Sequence, residues 1–224
     1  MIAVDLFCGG GGATLGLQWA GFEVIGIDIR KPRAYTGHFI KADALRPPID
    51  LKKADFVWAS PPCQRYSSAG KCRGNDWQRH PDMVPALREL LKDHPFTCIE
   101  NVPGSPLRKN LWLVGEQFGL NQLWRKRYFE LSFFCWQLPK VKMQRGKYIT
   151  VTTSMSSANH FYRRKAEGKK GRPPMMLTKH VMGIPICNKM TQREVGNAVP
   201  PPMARYIATE AMREIRAPAR SAVP

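Results

Sequence analysis

An apolar run that leads straight into a cluster of glycines constrains this chain most. Residues 2–7 (IAVDLF) have the length and composition of a buried strand, and four consecutive glycines follow one cysteine later. Residues 14–20 then show helical spacing of apolar side chains, and residues 22–28 form a second apolar run that ends in Asp28. A strand, a loop, a helix and a second strand in this order predict parallel strands covered by a helix.

The rest of the chain continues this alternation. Further strands are predicted at 39–42, 56–59, 96–100, 127–134 and 148–152, and amphipathic helices at 81–94 and 202–216. Strands that alternate with helices are typical of an α/β fold. We therefore expect a Rossmann-like, doubly wound and mostly parallel sheet.

Charge is the strongest signal in the composition. The chain has 35 Lys and Arg against 17 Asp and Glu, so its formal net charge is +18. Because such an excess disfavours a compact fold, it indicates a polyanionic partner, of which nucleic acid is the usual one. Basic residues concentrate between Lys140 and Arg193, where Glu167 is the only acid. This segment is the candidate contact surface, with a solvated surface loop as the alternative.

Two further classes are disfavoured by the sequence. No apolar run approaches the roughly 18 residues that span a bilayer, so we expect no membrane association and a cytosolic protein. The six cysteines have no metal-ligand spacing, so no metal site is expected.

The glycine cluster and two aspartates suggest a ligand that contains adenosine. Glycines let the backbone approach a ligand at the end of the first strand, but a GxGxxG pattern is absent. Asp28 is placed to accept hydrogen bonds from ribose hydroxyls, and Asp43 could contact an adenine amino group. Each aspartate alone could instead stabilise a turn or cap a helix.

Two strand ends carry groups suited to catalysis. Cys63 follows two prolines at the end of the fourth predicted strand, and prolines restrict the backbone that holds the thiol. Glu100 ends the next strand. Because such strand ends face the ligand crevice, the thiol and the carboxylate should meet at one site. The alternatives are a buried structural thiol and a surface ion pair.

Five runs, in this order, resemble the motifs of the cytosine-C5 DNA methyltransferase family, and the chain is most similar to its compact bacteriophage-type members. They are DLFCG at 5–9, SPPCQ at 60–64 with Ser67 and Gly70 beyond it, ENV at 100–102, RKR at 125–127 and GNAVP at 196–200. The resemblance implies a class I S-adenosyl-L-methionine-dependent methyltransferase. Its substrate would be cytosine in double-stranded DNA, flipped out of the helix.

The resemblance also implies individual roles. Cys63 would attack C6 of the cytosine, Glu100 would assist at N3, and Arg127 would hold O2 with support from Arg125. Both arginines should increase the thiolate fraction of Cys63. The residues expected to bind the cofactor are Phe7, Cys8, Gly9, Gly11, Asp28, Ile29, Asp43, Ala44, Pro61, Asn197 and Ala198. Those expected to contact nucleic acid are Gln64, Ser67, Ser68, Lys71, Arg163, Arg164, Lys169, Lys170 and Arg172.

The expected organisation has four parts. Residues 1–136 form the catalytic domain, 137–190 a very small basic target-recognition segment, 191–216 a C-terminal strand and helix that complete the catalytic domain, and 217–224 a frayed tail. The recognition segment is far shorter than in typical restriction-modification members, so phosphate contacts should dominate affinity. We expect a monomer on DNA, in the cytosol of a bacterium or a phage-infected host. Two alternatives stay open: a tRNA cytosine-C5 methyltransferase, and a catalytically silent DNA-binding protein.

Overall fold

One seven-stranded sheet forms the centre of the computed structural model, which describes residues 1–33, 35–67, 80–120, 122–123, 125–141, 151, 175–185 and 187–217. Its strands in the described ranges are β1 (Ile2–Leu6), β2 (Glu23–Asp28), β3 (His38–Lys41), β4 (Phe56–Ala59), β5 (Thr97–Asn101), β6 (Leu111–Leu113) and β7 (Arg127–Leu131). Their order across the sheet is β3-β2-β1-β4-β5-β7-β6.

The strand directions give the sheet a single functional edge. Strands β1 to β5 run parallel, and β7 runs antiparallel between β5 and β6. The mostly parallel sheet predicted from the sequence is thereby confirmed. The chain moves outward from β1 to β3 and then returns to place β4 on the other side of β1. Such a reversal opens a crevice at the carboxyl ends of the strands.

Helices cover both faces of this sheet, as the doubly wound prediction requires. They are α1 (Gly12–Trp19), α2 (Val84–Leu91), α3 (Met175–Val181), α4 (Gln192–Asn197) and α5 (Pro201–Arg216). Short 3-10 turns lie at Leu51–Lys53 and Gly115–Phe118. No helix in the described ranges is long and apolar enough to cross a membrane.

The apolar strands supply two separate cores because successive side chains point to opposite faces. In β4, Phe56 and Trp58 join the core beneath α1 and α5, whereas Val57 and Ala59 join the core beneath α2. A third cluster contains Val151, Val181 and Met182 from the basic segment together with α1 and α4 residues. The described parts of that segment are thus anchored to the main domain.

Several elements differ from the sequence-based expectation. Strand β6 and helix α3 were not predicted, and β7 ends at Leu131 rather than at 134. The C-terminal strand and helix expected at 191–216 are instead the two helices α4 and α5. Helix α4 forms because Thr191 and Glu194 make a capping box, in which each side chain accepts a hydrogen bond from the other's backbone N–H. The strand expected at 148–152 lies outside the described residues except for Val151, and so does the tail beyond 217.

Close packing of α1 against α5 ties the two ends of the chain together. A Cβ atom on Gly16 would lie 2.3 Å from the carbonyl oxygen of Pro201 and 2.6 Å from Cβ of Ala204. The absence of a side chain at Gly16 therefore sets how closely the last helix approaches the first.

We predict that Gly16→Ala lowers the free energy of unfolding by about 2 kcal/mol. The overpacking against α5 more than offsets the better helix propensity of alanine. Urea unfolding followed by circular dichroism measures the change. Arg205→Ala, on the exposed face of α5, is the control and should change stability by less than about 0.5 kcal/mol. Equal stability of Gly16→Ala and wild type would contradict the packing argument.

Candidate active site

A cavity of about 270 Å³ opens at the carboxyl edge of the parallel strands. It brings together most of the residues predicted from the sequence: Phe7, Cys8, Gly9, Asp28, Ile29, Asp43, Ala44, Pro61, Asn197 and Ala198 from the cofactor set, with Cys63, Gln64, Glu100 and Arg127. Three predicted residues in the described ranges, Gly11, Arg125 and Ser67, do not line it. Its walls also include residues that the prediction missed: Asp5, Gly10, Ala13, Ser60, Pro62, Met83, Val102 and Val199.

The loop between β1 and α1 turns sharply at this edge. Phe7 has a φ of 59°, which is uncommon for a residue other than glycine, and Gly9 has a φ of 48°. The backbone N–H of Gly9 donates to Asp28 Oδ2 at 3.0 Å. Backbone strain of this kind is typical of ligand sites, where surrounding contacts hold it in place.

The loop packs directly on the C-terminal part of the chain. A Cβ on Gly10 would lie 2.6 Å from Cβ of Glu194, and a Cβ on Gly12 would lie 2.5 Å from the carbonyl oxygen of Val199. Because the glycines allow this approach, Asn197 reaches the same cavity as the loop although 185 or more residues separate them in sequence.

The two predicted aspartates are held by backbone groups. Asp28 accepts hydrogen bonds from the N–H groups of Gly9 and Arg30, one at each oxygen. Asp43 accepts one from the N–H of Leu45 through Oδ1. The turn-stabilising role that the sequence left open is therefore real, but it also orients both carboxylates at the cavity. Ionised carboxylate oxygens have further lone pairs with which to accept ligand hydroxyl or amino groups.

Asp5 is an acid that the prediction passed over as a site residue. It is fully buried in β1, accepts a hydrogen bond from Thr14 through Oδ2 at 2.6 Å, and has no partner at Oδ1 among the described residues. Burial raises its pKa to about 7 despite the hydrogen bond from Thr14. The available signal was an aspartate inside an otherwise apolar strand.

The loop that carries Cys63 is fixed on both sides. The side-chain amide of Asn101 donates to the carbonyl oxygen of Pro61 at 3.1 Å, and the N–H groups of Tyr66 and Ser67 both donate to the carbonyl oxygen of Cys63. Burial raises the pKa of the thiol, and this outweighs the opposing effect of Arg127. The expected arginine effect therefore has the right sign, but the free site keeps its thiol protonated.

Glu100 and Arg127 form a buried ion pair in the cavity. Their Oε1 and Nε atoms are 2.8 Å apart. Arg127 begins β7, and because β7 is antiparallel to β5 its first residue lies at the same edge as the end of β5. Burial raises the pKa of Glu100 even though Arg127 and Arg125 oppose the shift. The sequence left open an ion pair on the surface. The pair that Glu100 forms is instead buried, since both side chains are enclosed.

Arg125 holds the site together from outside the cavity. Its guanidinium donates to the carbonyl oxygens of Val151 at 2.8 Å and Gly196 at 2.9 Å, while Nε has no partner in the described part of the chain. Burial lowers its pKa to about 9. The side chain therefore joins the basic segment to helix α4 rather than lining the cavity.

The predicted nucleic-acid contacts are only partly described. Gln64 is exposed at the cavity, and Ser67 closes the turn after Cys63. Ser68, Lys71, Arg163, Arg164, Lys169, Lys170 and Arg172 lie outside the described residues.

Comparison with known proteins matches the first half of the chain to one family. The model of the family described as C-5 cytosine-specific DNA methylase matches residues 1–110. Type II methyltransferase M.HgiGI of Herpetosiphon aurantiacus is 35% identical over 122 residues, which is 49% of this chain and 96% of that relative. Type II methyltransferase M.FnuDI of Fusobacterium nucleatum is 33% identical over 120 residues, 49% of this chain. The match spans only 35% of the length of M.FnuDI.

A solved structure matches almost the whole chain. The Entamoeba histolytica methyltransferase EhMeth superposes with a TM-score of 0.63 at 14% identity, covering 97% of this chain and 99% of that one. At this identity the similarity concerns the fold alone, and it confirms the Rossmann-like sheet.

The buried Asp5 should make the stability of the folded chain depend on pH. Its pKa rises from an ordinary 3.8 to about 7 on folding, so the folded chain holds the proton more tightly. The free energy of unfolding that this tighter proton binding contributes is fully present below pH 3.8, and it is lost as the pH rises toward about 7. Asp5→Asn removes this loss. We predict that the stability of Asp5→Asn relative to wild type grows by roughly 2 to 3 kcal/mol between pH 5 and pH 7.5.

Urea unfolding at several pH values measures this difference. Asp93→Asn, at an exposed position near the end of α2, is the matched control and should give a difference that does not change with pH. A pH-independent difference for Asp5→Asn as well would show that Asp5 does not titrate in this range.

Proposed function

Because the chain belongs to the C-5 cytosine-specific DNA methylase family, we propose that it transfers a methyl group from S-adenosyl-L-methionine to C5 of cytosine in double-stranded DNA. One observation carries the proposal: the Cys63 thiol and the Glu100–Arg127 pair share a cavity with the glycine loop and its aspartates. A nucleophile, a carboxyl group and a cation therefore lie in one cavity with residues suited to bind a nucleoside.

The family and the fold imply S-adenosyl-L-methionine as the cofactor, and the residues present fit it. Asp28 and Asp43 offer oriented carboxylates for the adenosine. Asp5 Oδ1, which has no hydrogen-bond partner among the described residues, suits a positively charged ligand. When bound, the cofactor supplies the electrophilic methyl group on its sulfonium. Asn197 and the Gly9 loop would enclose the other end.

Cys63 is the proposed nucleophile. C5 of cytosine is a weak nucleophile until a thiolate adds to C6 and turns the ring into an enamine. The Cys63 thiol first loses its proton to solvent, and its sulfur then bonds to C6. C5 would take the methyl group that the bound cofactor supplies, with S-adenosyl-L-homocysteine as the leaving group. The C5 proton passes to water and the C6–S bond breaks, which returns the thiolate. The protonated resting thiol favours a site that becomes reactive only when DNA is bound.

Glu100 and Arg127 are the proposed readers of the flipped base. Cytosine presents two neighbouring acceptors, N3 and O2, with the N4 amino donor on the other side of N3. A protonated Glu100 donates to N3 and accepts from N4, while the Arg127 guanidinium donates to O2. Burial raises the pKa of Glu100, which makes its protonation easier once the base takes the place of Arg127 beside it. Since the two side chains pair with each other in the free site, the base would replace part of that ion pair.

The excess of basic residues supports DNA as the partner. A net charge of +18 favours phosphate contacts, and extruding a base from duplex DNA requires a few kcal/mol that such contacts can supply. The proposed recognition segment, 137–190, is tied to the catalytic domain through Val151, whose carbonyl oxygen binds Arg125. The proposal extends to Gln64, Ser67 and the basic residues of this segment as contacts, and to a monomer that meets DNA in the cytosol.

We predict that Cys63→Ala lowers the rate of methyl transfer by at least about a thousandfold, because no enamine forms without the nucleophile. Its affinity for S-adenosyl-L-methionine should stay within about twofold of wild type. The assay follows transfer of labelled methyl groups to unmethylated duplex DNA, with bisulfite sequencing of the product. Cys187→Ala, which removes an exposed thiol, is the control and should keep full activity.

Three outcomes would contradict parts of this proposal. Full activity of Cys63→Ala would remove the nucleophile assignment. Labelling of tRNA alone, when DNA and tRNA compete, would show an RNA methyltransferase. Binding of DNA by the wild-type chain without methylation of either substrate would indicate a catalytically silent binding protein.

A further inference from the structure

Tyr35 occupies a space that three glycines leave open. A Cβ on Gly26 of β2 would lie 1.9 Å from the Tyr35 hydroxyl, and one on Gly37 would lie 2.9 Å from its ring. On the other side, a Cβ on Gly11 of the glycine loop between β1 and α1 would lie 3.2 Å from the ring. The tyrosine is therefore inserted between β2 and the glycine loop, behind the cavity rather than in it.

A chain of short hydrogen bonds leads from Tyr35 to the cavity. The Tyr35 hydroxyl lies 2.6 Å from Thr14 Oγ1, and Thr14 Oγ1 donates to Asp5 Oδ2 at 2.6 Å. An ionised carboxylate only accepts hydrogen bonds, so Thr14 commits its one proton to Asp5. Tyr35 must then donate to Thr14. The direction of the whole chain is set by the charge on Asp5.

Asp5, where the series of hydrogen bonds ends, has no cationic side chain paired with it among the described residues. Asp5 lines the cavity, its Oδ1 has no partner among the described residues, and no described lysine or arginine forms an ion pair with it. The nearby charges that act on it, Asp28 and Glu100, are both acidic. A buried carboxylate in such surroundings is stabilised by a positively charged ligand in the cavity.

We propose that Tyr35 is a positioning residue for the cofactor, whose hydroxyl fixes Thr14 so that Thr14 holds the Asp5 carboxylate as the counter-charge for the positively charged S-adenosyl-L-methionine. This inference rests on the proposed function, because it takes the cofactor to be the cation. Tyr35 does not itself line the cavity, and its hydroxyl also hydrogen-bonds the side chain of Cys8, which does. Neither contact involves Cys63, so the expected effect is on cofactor affinity and not on the chemical step.

The test is the affinity of Tyr35→Phe for S-adenosyl-L-methionine, measured by isothermal titration calorimetry without DNA. The variant keeps the ring that fills the space between the glycines and removes only the hydroxyl. We expect the dissociation constant and the KM for the cofactor to rise about tenfold, with kcat within about twofold of wild type. Tyr206→Phe is the control, since its hydroxyl donates to the carbonyl oxygen of Trp136 away from the cavity, and it should bind as wild type does.

A double-mutant cycle tests the relay itself, by which we mean the hydrogen bonds from Tyr35 through Thr14 to Asp5. If Tyr35 acts through Thr14, Tyr35→Phe combined with Thr14→Val binds the cofactor no more weakly than Thr14→Val alone. Additive losses would overturn the relay. Wild-type affinity of Tyr35→Phe, or a lowered melting temperature without loss of affinity, would overturn the positioning role. If the wild-type chain itself does not bind S-adenosyl-L-methionine, the proposed function fails instead, so the two failures are distinct.

Discussion

The reversal of strand order between β1 and β4 is the constraint on which the rest of the site depends. It brings the carboxyl ends of the parallel strands to one crevice, so that the β1 loop, Asp28, Cys63 and Glu100 meet there. Strand β7, the one antiparallel strand among the seven described, starts at the same edge and adds Arg127.

Burial sets the charge state of the cavity. It raises the pKa of Asp5, Cys63 and Glu100 alike. Among the described residues that line the cavity, Arg127 is the one with a positively charged side chain. A site with more acids than cations destabilises the free chain when those acids ionise, but it favours a cationic ligand. Burial also raises the pKa of Glu100, so that the carboxyl group takes up a proton more readily when an uncharged base replaces its contact with Arg127. In our account, one physical effect therefore prepares both halves of the reaction.

The sequence predicted the elements whose signal is local. The first strand, the glycine loop and the following helix are encoded by an apolar run and by glycines. Cys63 and Glu100 could be predicted because each lies near the end of an apolar strand. Strand β6 was missed because three residues carry no periodicity. The contact of Arg125 with Gly196 was missed because the two residues lie 71 positions apart in the chain. The space around Tyr35 was missed because it forms only when β2 and the glycine loop come together in the fold.

The most direct test of the account is to trap the bond between Cys63 and the base. Duplex DNA that carries 5-fluorocytosine at the target position accepts the thiolate and the methyl group but cannot lose a proton from C5, so the C6–S bond persists. We predict a complex that survives denaturation, forms only with S-adenosyl-L-methionine, and gives a cross-linked peptide containing Cys63. Methylation of ordinary DNA with no trapped complex, or a cross-link at another cysteine, would contradict it.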